Sequence, residues 1–287
     1  MEGSGSFWTW RRCLGNQPAS EVISLREYDQ ISELAFTTAG IDLRTGKREL
    51  VQARVGKKIR QGRFRSFKEY YEHVEADHTG HELMALLDAL TTNFTSFLRE
   101  PSHFELLRKT ILRCLDGPIR IWSAACSTGE EPYTIAFSLL EELGGPGSSR
   151  IRILASDLSM RVLEAAGKGI YPAERFRDCP KDWLSRYLLR GSGNSEGWYR
   201  VKPQVRSLVE FRRLNLMEAF RPQQRFHVIF CRNVMIYFDK VTQEQVANRL
   251  ADCLEPGGYL LIGHSESLTG LKHPYDYIKP AVYRKPQ

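Results

Sequence analysis

The chain has 287 residues, of which 42% are hydrophobic and 26% charged, so it can form one large or two modest globular domains. This composition excludes a wholly disordered chain, and no apolar run approaches the roughly 20 residues of a membrane span. The net charge of +7 favours an acidic partner. The N-terminus has no apolar signal core, so we expect a cytoplasmic protein, with a monomer as the default.

The cysteine and histidine patterns predict neither disulfides nor a metal site. The six cysteines are scattered and form no CxxC pair. His78 and His81 lie three positions apart in DHTGH, but no cysteine or carboxylate set nearby completes a ligand group. We therefore expect a surface turn at this pair.

The N-terminal third predicts a flexible tail followed by a small all-helical domain. Residues 1–20 contain Gly and Ser and are aperiodic, whereas 21–92 is helical throughout. Its first helix is predicted to begin at a capping box of Ser24 and Glu27 and to end at Gly40. Three more helical stretches follow without a strand pattern: ELVQARVGKKIRQGR, SFKEYYEHVEAD and GHELMALLDALTTN.

Basic residues are concentrated within this domain, between positions 44 and 68, where Glu49 is the only acidic residue. Such a surface is either merely solvated or docks an acidic protein segment in a salt-dependent way. It would also attract nucleic acid, but no nucleic-acid-reading motif accompanies it, so we predict no such partner. Four basic residues follow helical spacing and are predicted to form one face: Arg54, Lys57, Lys58 and Arg65.

Beyond Pro118 the pattern changes to short β-rich runs that alternate with helical runs. This alternation predicts an α/β domain over 119–287, with a parallel sheet between helices. Residues 93–118 are predicted to be a linker and a helix that contributes to a ligand site, which should lie at the carboxyl ends of the strands. The predicted core strands are IRIWSAA, RIRILASD, SLVEFRRLN, FHVIFCRN and GGYLLIGHS.

One segment of this domain fits neither pattern. In RGSGNSEGWYRVKPQV, Gly-containing turns flank the short alternating run WYRVK. We predict a small antiparallel β-subdomain inserted at about 190–207, which is either a peptide-binding surface or a plain structural hairpin.

The loop after the first strand, SAACSTGEE, predicts a cationic ligand. It lacks both the dinucleotide-binding glycine pattern and the P-loop, because Gly129 stands alone and no Lys follows. Glu130 and Glu131 would repel a phosphate at the start of the next helix. S-adenosylmethionine fits, since it carries a sulfonium and an ammonium and no phosphate. The small residues of the loop let the backbone approach it closely.

Asp157 ends the second predicted strand and has two interpretations. An acidic residue at this place can accept both ribose hydroxyl groups of a nucleoside. It can instead cap the helix LSMRVLEAAGKG that follows it. Together with the glutamate-bearing loop, we favour the ribose role.

Six segments, in order, resemble the chemotaxis receptor methyltransferases, the CheR family, over roughly residues 20–285. The resemblance implies a Rossmann-like S-adenosylmethionine-dependent methyltransferase domain preceded by a small helical domain. It also implies methyl transfer to glutamates on the cytoplasmic helices of chemoreceptors, with glutamyl methyl esters and S-adenosylhomocysteine as products. The segments are TTNFTSFLRE, WSAACSTGEEPYTIA, ASDLSMRVLEAAGKGIY, RRLNLME, IFCRNVMIYFDK and LEPGGYLLIGHSES.

Two other functions remain open. The chain could methylate RNA or a small molecule, or it could be a non-catalytic adaptor that binds S-adenosylmethionine. The resemblance further implies that the β-subdomain pairs with a peptide at the receptor's C-terminus by strand addition.

The resemblance also implies site residues. Arg99 and Tyr237 would lie nearest the transferred methyl group. Arg99 is predicted to hold the substrate carboxylate by a bidentate fork, and Tyr237 to donate one hydrogen bond or lie beside the methyl group. The alternatives are a salt bridge from Arg99 to Glu100 or Glu105, and core packing for Tyr237. The implied cofactor contacts are Asn93, Thr95, Arg99, Ala125, Glu131, Asp157, Asn215, Leu216, Asn233 and Val234.

Overall fold

The computed structural model describes residues 22–44, 46–92, 94–115, 117–144 and 149–287. The predicted tail and Asn93 lie outside these ranges. The described residues form two compact units: those up to Ile31 and from 46 to Leu90, and those of Ser32–Arg44 and from Thr91 onward. No described helix is both long and apolar enough to cross a membrane.

The helices alternate with strands only in the second half of the chain. Short 3₁₀ and π turns, including Leu107–Ile111 and Met235–Tyr237, join some of them. The described α-helices are α1 Leu25–Ala39, α2 Arg48–Gly62, α3 Phe67–Ala76, α4 His81–Leu90, α5 Pro101–Leu106, α6 Glu130–Leu143, α7 Met160–Lys168, α8 Lys181–Tyr187, α9 Pro203–Arg206 and α10 Lys240–Cys253. The described strands are β1 Ile119–Ala124, β2 Ile151–Asp157, β3 Ile170–Pro172, β4 Leu188–Arg190, β5 Trp198–Val201, β6 Val209–Arg213, β7 Phe226–Cys231, β8 Leu254–Ile262, β9 Asp276–Lys279 and β10 Val282–Arg284.

The predicted helices of the N-terminal part are confirmed. The carboxylate of Glu27 accepts from the backbone N–H of Ser24 at 2.8 Å, and the N–H of Glu27 donates to Ser24 Oγ at 3.3 Å, as a capping box requires. Helix α1 ends before Gly40, whose φ angle is +69°. In the first unit α2, α3 and α4 pack on one another through buried apolar residues. These include Val51, Val55, Ile59, Phe67, Val74, Leu86 and Leu90.

The predicted single basic face is wrong in one position. Helix α2 ends at Gly62, because Arg63 adopts a left-handed φ of +59°, so Arg65 lies in the connection to α3 and not on α2. Arg54 Nη1 donates to the carbonyl of Leu90 at 2.5 Å, at the end of α4. Lys57 remains exposed on α2.

The second unit contains a seven-stranded sheet in the order β6-β2-β1-β7-β8-β10-β9. All five predicted core strands are present, and the pairs among β6, β2, β1, β7 and β8 are parallel. The sheet is nevertheless mixed, because the hairpin β9–β10 adds antiparallel strands at the β8 edge. The sequence analysis did not predict this hairpin.

Alternating residues of the central strands bury two apolar layers, one on each face of the sheet. Ile121 and Phe230 belong to the layer that also contains Phe137 of α6. Trp122 and Ile229 belong to the layer that also contains Leu250 of α10. Since strand side chains alternate between faces, strands covered on both faces are continuously apolar, as β1 and β7 are.

The predicted β-subdomain is present as a separate antiparallel sheet in the order β3-β5-β4. It begins at Ile170, upstream of the predicted range of 190–207, because β3 and β4 both pair with β5. The strand β5 contains the first four residues, WYRV, of the run that predicted it.

The segment Ser32–Arg44 belongs to the second unit, although the sequence places it in the helical domain. The carbonyl of Thr38 accepts from Asn215 Nδ2 at 2.8 Å. The N–H of Asp42 donates to the carbonyl of Tyr237 at 2.7 Å. Arg44 Nη2 forms an ion pair with Asp239 at 2.8 Å. These bonds join the end of α1 to the loops that follow β6 and β7.

Candidate active site

The loop that follows β1 contains small residues with positive φ angles. The φ angles of Ala125, Ser127 and Gly129 are +70°, +49° and +96°, in the left-handed region that only glycine adopts without strain. The N–H of Ala125 donates to the carbonyl of Ser156 at 2.8 Å, which ties the loop to the end of β2. Since β1 lies between β2 and β7, this loop stands at the place where α/β sheets bind ligands.

Gly129 allows the loop to pass very close to its neighbours. A Cβ atom at this position would lie 2.8 Å from Ala166 Cβ and 2.8 Å from the hydroxyl oxygen of Tyr171. That hydroxyl donates to the carbonyl of Thr128 at 2.7 Å. The lone glycine of the sequence motif is therefore required by packing and by its φ angle.

Asp157 orients the same loop from the end of β2. Its Oδ2 accepts from the N–H of Ser127 at 2.9 Å, and its Oδ1 accepts from the N–H of Ser159 at 3.0 Å. Ser159 is the residue that precedes α7, so Asp157 supports the start of that helix without being its cap. Its ribose role stays a proposal.

The two glutamates at the start of α6 have different environments. The side chain of Glu130 is buried, accepts from Thr128 Oγ1 at 2.7 Å and lies 3.5 Å from Arg175 Nη1. Burial raises the pKa of Glu130. Glu131 accepts from Ser123 Oγ at 2.7 Å and from Arg232 Nη1 at 2.8 Å. Of the two carboxylates only Glu131 is partly exposed, and its charge is paired with that of Arg232.

Arg232 is the central charge of the site. Its side chain is 2% exposed and forms ion pairs with Glu131 at 2.8 Å and with Glu100 at 3.0 Å. Its Nη2 also donates to the backbone carbonyl of Arg99. Burial acts to raise the pKa of Glu100, but the Arg232 charge and the hydrogen bond from the N–H of His264 lower it below its usual value. Arg232 thus joins the start of α6 to the turn that contains Arg99.

Arg99 lies on a strained turn and keeps its charge available. Leu98 and Glu100, on either side, have φ angles of +55° and +58°. The guanidinium donates to the carbonyl of Phe94 at 2.8 Å. Within the described ranges it forms no ion pair, since Glu100 pairs with Arg232 and Glu105 with Lys109. The alternative of a structural salt bridge for Arg99 is therefore not what the structure shows.

Tyr237 is held by the segment that leads to Arg99. The N–H of Thr92 donates to its hydroxyl oxygen at 2.9 Å, and the hydroxyl lies 3.3 Å from the Thr92 carbonyl. The ring also packs against the apolar layer on the α10 side. Tyr237 therefore both packs in the core and bonds to Thr92, in the segment that leads to Arg99.

Thr95, which is 8% exposed, accepts from Arg175 Nη1 through its carbonyl at 2.9 Å.

Asn215 and Leu216 form a turn after β6. Asn215 Nδ2 donates to Thr38, and its Oδ1 accepts from the N–H of Met217 at 3.0 Å. Arg249 of α10 donates to the carbonyl of Met217. The turn is thus held from both sides by side chains. Since both polar atoms of the Asn215 side chain already have partners, its predicted cofactor contact would come from the backbone.

Asn233 and Val234 follow β7. Asn233 has a φ of +59°, and its N–H donates to Glu266 Oε2 at 2.8 Å. The same oxygen accepts from the N–H of Gly263 at 2.6 Å. Burial raises the pKa of Glu266, although these backbone hydrogen bonds oppose the shift. Glu266 therefore fixes the backbone at Asn233, one of the predicted cofactor contacts.

The sequence analysis missed Arg232, Glu100 and Glu266. A charge directly after the buried strand β7 was an available signal for Arg232, because buried Arg is rare unless paired. Glu100 and Glu266 gave no local signal. Their bonding partners Arg232 and Asn233 lie 132 and 33 positions away.

Two family models cover most of this chain. The CheR methyltransferase SAM-binding domain matches residues 93–283, and the CheR methyltransferase all-alpha domain matches residues 26–91. The chain therefore belongs to the CheR methyltransferase family. The resemblance seen in the sequence motifs is thereby confirmed, and this CheR-family chain is an S-adenosylmethionine-dependent methyltransferase.

Curated relatives agree with the CheR assignment along nearly the whole chain. Chemotaxis protein methyltransferase 2 of Pseudomonas aeruginosa is 42% identical over 260 residues, which is 90% of this chain and 92% of the relative. The chemotaxis protein methyltransferases of Salmonella typhimurium and Escherichia coli are each 40% identical over 264 residues, covering 91% of both chains.

The residues of the site fit S-adenosylmethionine. The loop of Ala125–Gly129 brings backbone close to the crevice without bulky side chains, and Glu131 and Asp157 supply carboxylates on either side of it. When bound, the cofactor supplies an electrophilic methyl group on a sulfonium. A carboxylate-rich loop suits that cation better than it suits a phosphate.

Proposed function

We propose that this CheR-family chain is a protein-glutamate O-methyltransferase that acts on the cytoplasmic helices of chemoreceptors. The products are glutamyl methyl esters and S-adenosylhomocysteine. The proposal is carried by the Arg99 guanidinium, which donates to the Phe94 carbonyl but forms no ion pair within the described residues. The names of the curated relatives, all chemotaxis protein methyltransferases, favour the same substrate class.

The chemistry requires no general base. A glutamate side chain has a pKa of about 4.3, so at neutral pH it is already the nucleophile. The protein has to place and desolvate it, and good positioning can supply roughly 7–11 kcal/mol. We propose that Arg99 grips the carboxylate by two parallel N–H donors, while Arg232 holds the Arg99 turn through its carbonyl.

The remaining predicted contacts complete the proposed site. The cofactor contacts are Asn93, Thr95, Arg99, Ala125, Glu131, Asp157, Asn215, Leu216, Asn233 and Val234, with Tyr237 near the methyl group. We propose that the acting unit is a monomer. Since the proposed substrate helices are cytoplasmic, we place the enzyme in the cytoplasm.

The decisive experiment measures transfer of labelled methyl groups from S-adenosylmethionine to a chemoreceptor cytoplasmic fragment. Arg99→Ala is expected to lose transfer by about 100-fold or more while S-adenosylhomocysteine binding persists, because the substrate carboxylate loses its fork. Arg99→Lys should recover only part of the rate, since an ammonium cannot form the fork. Arg113→Ala, an exposed arginine of the same unit, is the control. Equal transfer by wild type and Arg99→Ala would refute the role.

Docking on the receptor is proposed to use the basic residues of the helical unit. Lys57 and Arg65 are exposed, Lys58 is half-buried, and Arg54 is partly engaged with Leu90. Because exposed charges act through screened Coulomb forces, the KM for the receptor fragment in the same assay should rise with ionic strength.

The β-subdomain is proposed to bind a receptor C-terminal peptide by strand addition. β4 is an edge of the three-stranded sheet, and Leu189 on it is 48% exposed. Gly191 N–H bonds to Trp198 and Lys202 N–H to Tyr187, so Arg190 lies at a non-hydrogen-bonded position against β5. The backbone N–H of Arg190 therefore points away from β5, toward the free edge.

Two variants of Arg190 test strand addition at β4. Arg190→Pro removes the outward N–H without removing a β5 hydrogen bond, and is expected to weaken peptide binding by about tenfold. Arg190→Ala removes the side chain and keeps the N–H, so it should bind almost normally. Calorimetric titration with the receptor's C-terminal peptide measures both. Normal binding by Arg190→Pro would contradict strand addition at β4.

A further inference from the structure

Three potential metal ligands meet beside the turn that contains Arg99. Glu100, His103 and His264 each offer one ligand atom, and these atoms lie within 4.8 Å of one another. No metal site is predicted from the sequence, and spacing alone cannot associate position 264 with positions 100 and 103. The fold brings them together: His264 follows β8, and the N–H of His264 donates to Glu100 Oε1 at 3.2 Å.

The separations suit a tetrahedral ion. Glu100 Oε2 lies 3.6 Å from His103 Nδ1 and 3.9 Å from His264 Nε2. Zinc bonds of about 2.0–2.2 Å at tetrahedral angles place two ligand atoms about 3.4 Å apart. The two separations from Glu100 thus lie within about 0.5 Å of this value, and the two imidazole ligand atoms are no more than 4.8 Å apart.

The environment of His103 independently indicates a missing partner. Its side chain is 1% exposed, and neither ring nitrogen has a hydrogen-bond partner in the described structure. Buried polar atoms without a partner are costly and uncommon in folded proteins.

The cluster is also open to solvent. The side chain of His264 is 50% exposed and its ring lies edge-on to that of His103, with centroids 4.9 Å apart. Ser102 Oγ, 3.3 Å from His264 Nε2, is a weak neutral contact that an ion can displace. An ion can therefore enter past His264 and reach the buried imidazole.

We propose that Glu100, His103 and His264 form a binding site for Zn²⁺ or a similar borderline-soft divalent cation. Two imidazoles and one carboxylate, with water in the fourth position, are a common zinc ligand set. The site is regulatory in character, because Glu100 Oε2 also lies 3.0 Å from Arg232 Nη2. An ion at the site competes with Arg232 for this oxygen, and so loosens the turn whose Arg99 carbonyl Arg232 holds.

The first test measures Zn²⁺ affinity by competition with a chromogenic chelator. Wild type is expected to bind one equivalent, and His264→Asn to bind at least tenfold more weakly. A variant with both His78→Asn and His81→Asn is the matched control and should bind like wild type. Equal affinity of wild type and His264→Asn would overturn the proposal, as would loss of binding in the control.

Cobalt substitution separates this site from a thiolate site. Co²⁺ bound by two imidazoles and a carboxylate shows d–d absorption but no sulfur-to-cobalt charge-transfer band. Such a spectrum in wild type, lost in His264→Asn, supports the assignment. A charge-transfer band would place the ion on a cysteine and overturn it.

The second test concerns the linkage to Arg232. Saturating Zn²⁺ is expected to weaken S-adenosylhomocysteine binding severalfold in wild type and much less in His264→Asn. This arm relies on the family's cofactor and not on the proposed glutamate acceptor. Unchanged S-adenosylhomocysteine affinity would overturn the linkage, whereas failure of methyl transfer to receptors would affect only the proposed function.

Discussion

The two central strands β1 and β7 end side by side, with Ala124 paired to Cys231, yet their following loops are held in opposite ways. After β1, small residues in left-handed conformations are fixed by backbone hydrogen bonds to the end of β2. After β7, buried charges fix the backbone, with Arg232 as their centre and Glu266 behind Asn233. The first loop is recognisable from its own small residues, although Asp157 and Tyr171 also hold it, whereas the charges that fix the second include Glu100, 132 positions before Arg232.

The largest loss of stability is expected when the charge of Arg232, at the centre of the loop after β7, is removed. Arg232→Met leaves Glu100 and Glu131 without their buried partner, and we expect a loss of about 3–5 kcal/mol in the free energy of unfolding. Chemical denaturation measures it. Arg212→Met removes an exposed ion pair with Glu210 and should cost about 1 kcal/mol or less. Similar losses in the two variants would show that the β7 loop does not depend on its charges.

An intermediate loss of stability is expected from a substitution in the loop after β1. Gly129→Ala meets Ala166 and Tyr171 at 2.8 Å and keeps a left-handed φ, so we expect it to cost about 1–3 kcal/mol and to weaken cofactor binding. Gly144→Ala, at the other end of α6, has a φ of +85° but no atom within 4 Å of the new Cβ. The difference between the two unfolding free energies isolates the close contact. A Gly129→Ala no worse than Gly144→Ala would contradict the packing argument.

The smallest effect concerns Asp239, where the β7 loop enters α10. Its Oδ1 caps the helix through the N–H of Thr242 at 2.8 Å, and Arg44 pairs with its other oxygen. Asp239→Ala should cost about 1 kcal/mol, whereas Asp239→Asn keeps the cap and should lose less. Denaturation of the three proteins at neutral pH measures both.

The stability that the Asp239–Arg44 pair contributes should also depend on pH. Burial acts to raise the pKa of Asp239, but the Thr242 hydrogen bonds and Arg44 lower it below 3.8. The ionised carboxylate therefore contributes stability above the unfolded pKa, and this is lost as pH falls through the lower folded pKa. The gap between wild type and Asp239→Asn should close once the pH lies below the folded pKa of Asp239. A gap that persists there would point to a contribution other than charge.

The sequence allowed the fold to be predicted where a local pattern carried the information. The core strands were visible because each is a short apolar run, and the capping box of Ser24 and Glu27 was visible because it spans four residues. The hairpin β9–β10 was missed because Asp276–Lys279 is exposed throughout and has no apolar alternation. Arg65 was misplaced because helical spacing continued past Gly62, where a left-handed Arg63 ends the helix.

The residues of the site also divide into those that local sequence predicts and those that it does not. The loop at Gly129 and the carboxylate of Asp157 could be predicted, since small residues and a strand-end acid are local signals. The bonds of Glu100 to Arg232 and His264 could not, because they join residues more than 130 positions apart. Such bonds depend on strand order, and no single window of sequence contains strand order.

The bonds from Thr38, Asp42 and Arg44 to the loops after β6 and β7 have a consequence for exchanging parts between relatives. A chimaera joined at residue 91, where the two family models meet, would replace the native partners of Asn215 and Asp239 with those of another protein. Replacing only residues 46–90, between two junctions, keeps these bonds within one parent. Shuffling experiments in this family should therefore treat the end of α1 as part of the transferase, whatever the position of the sequence boundary.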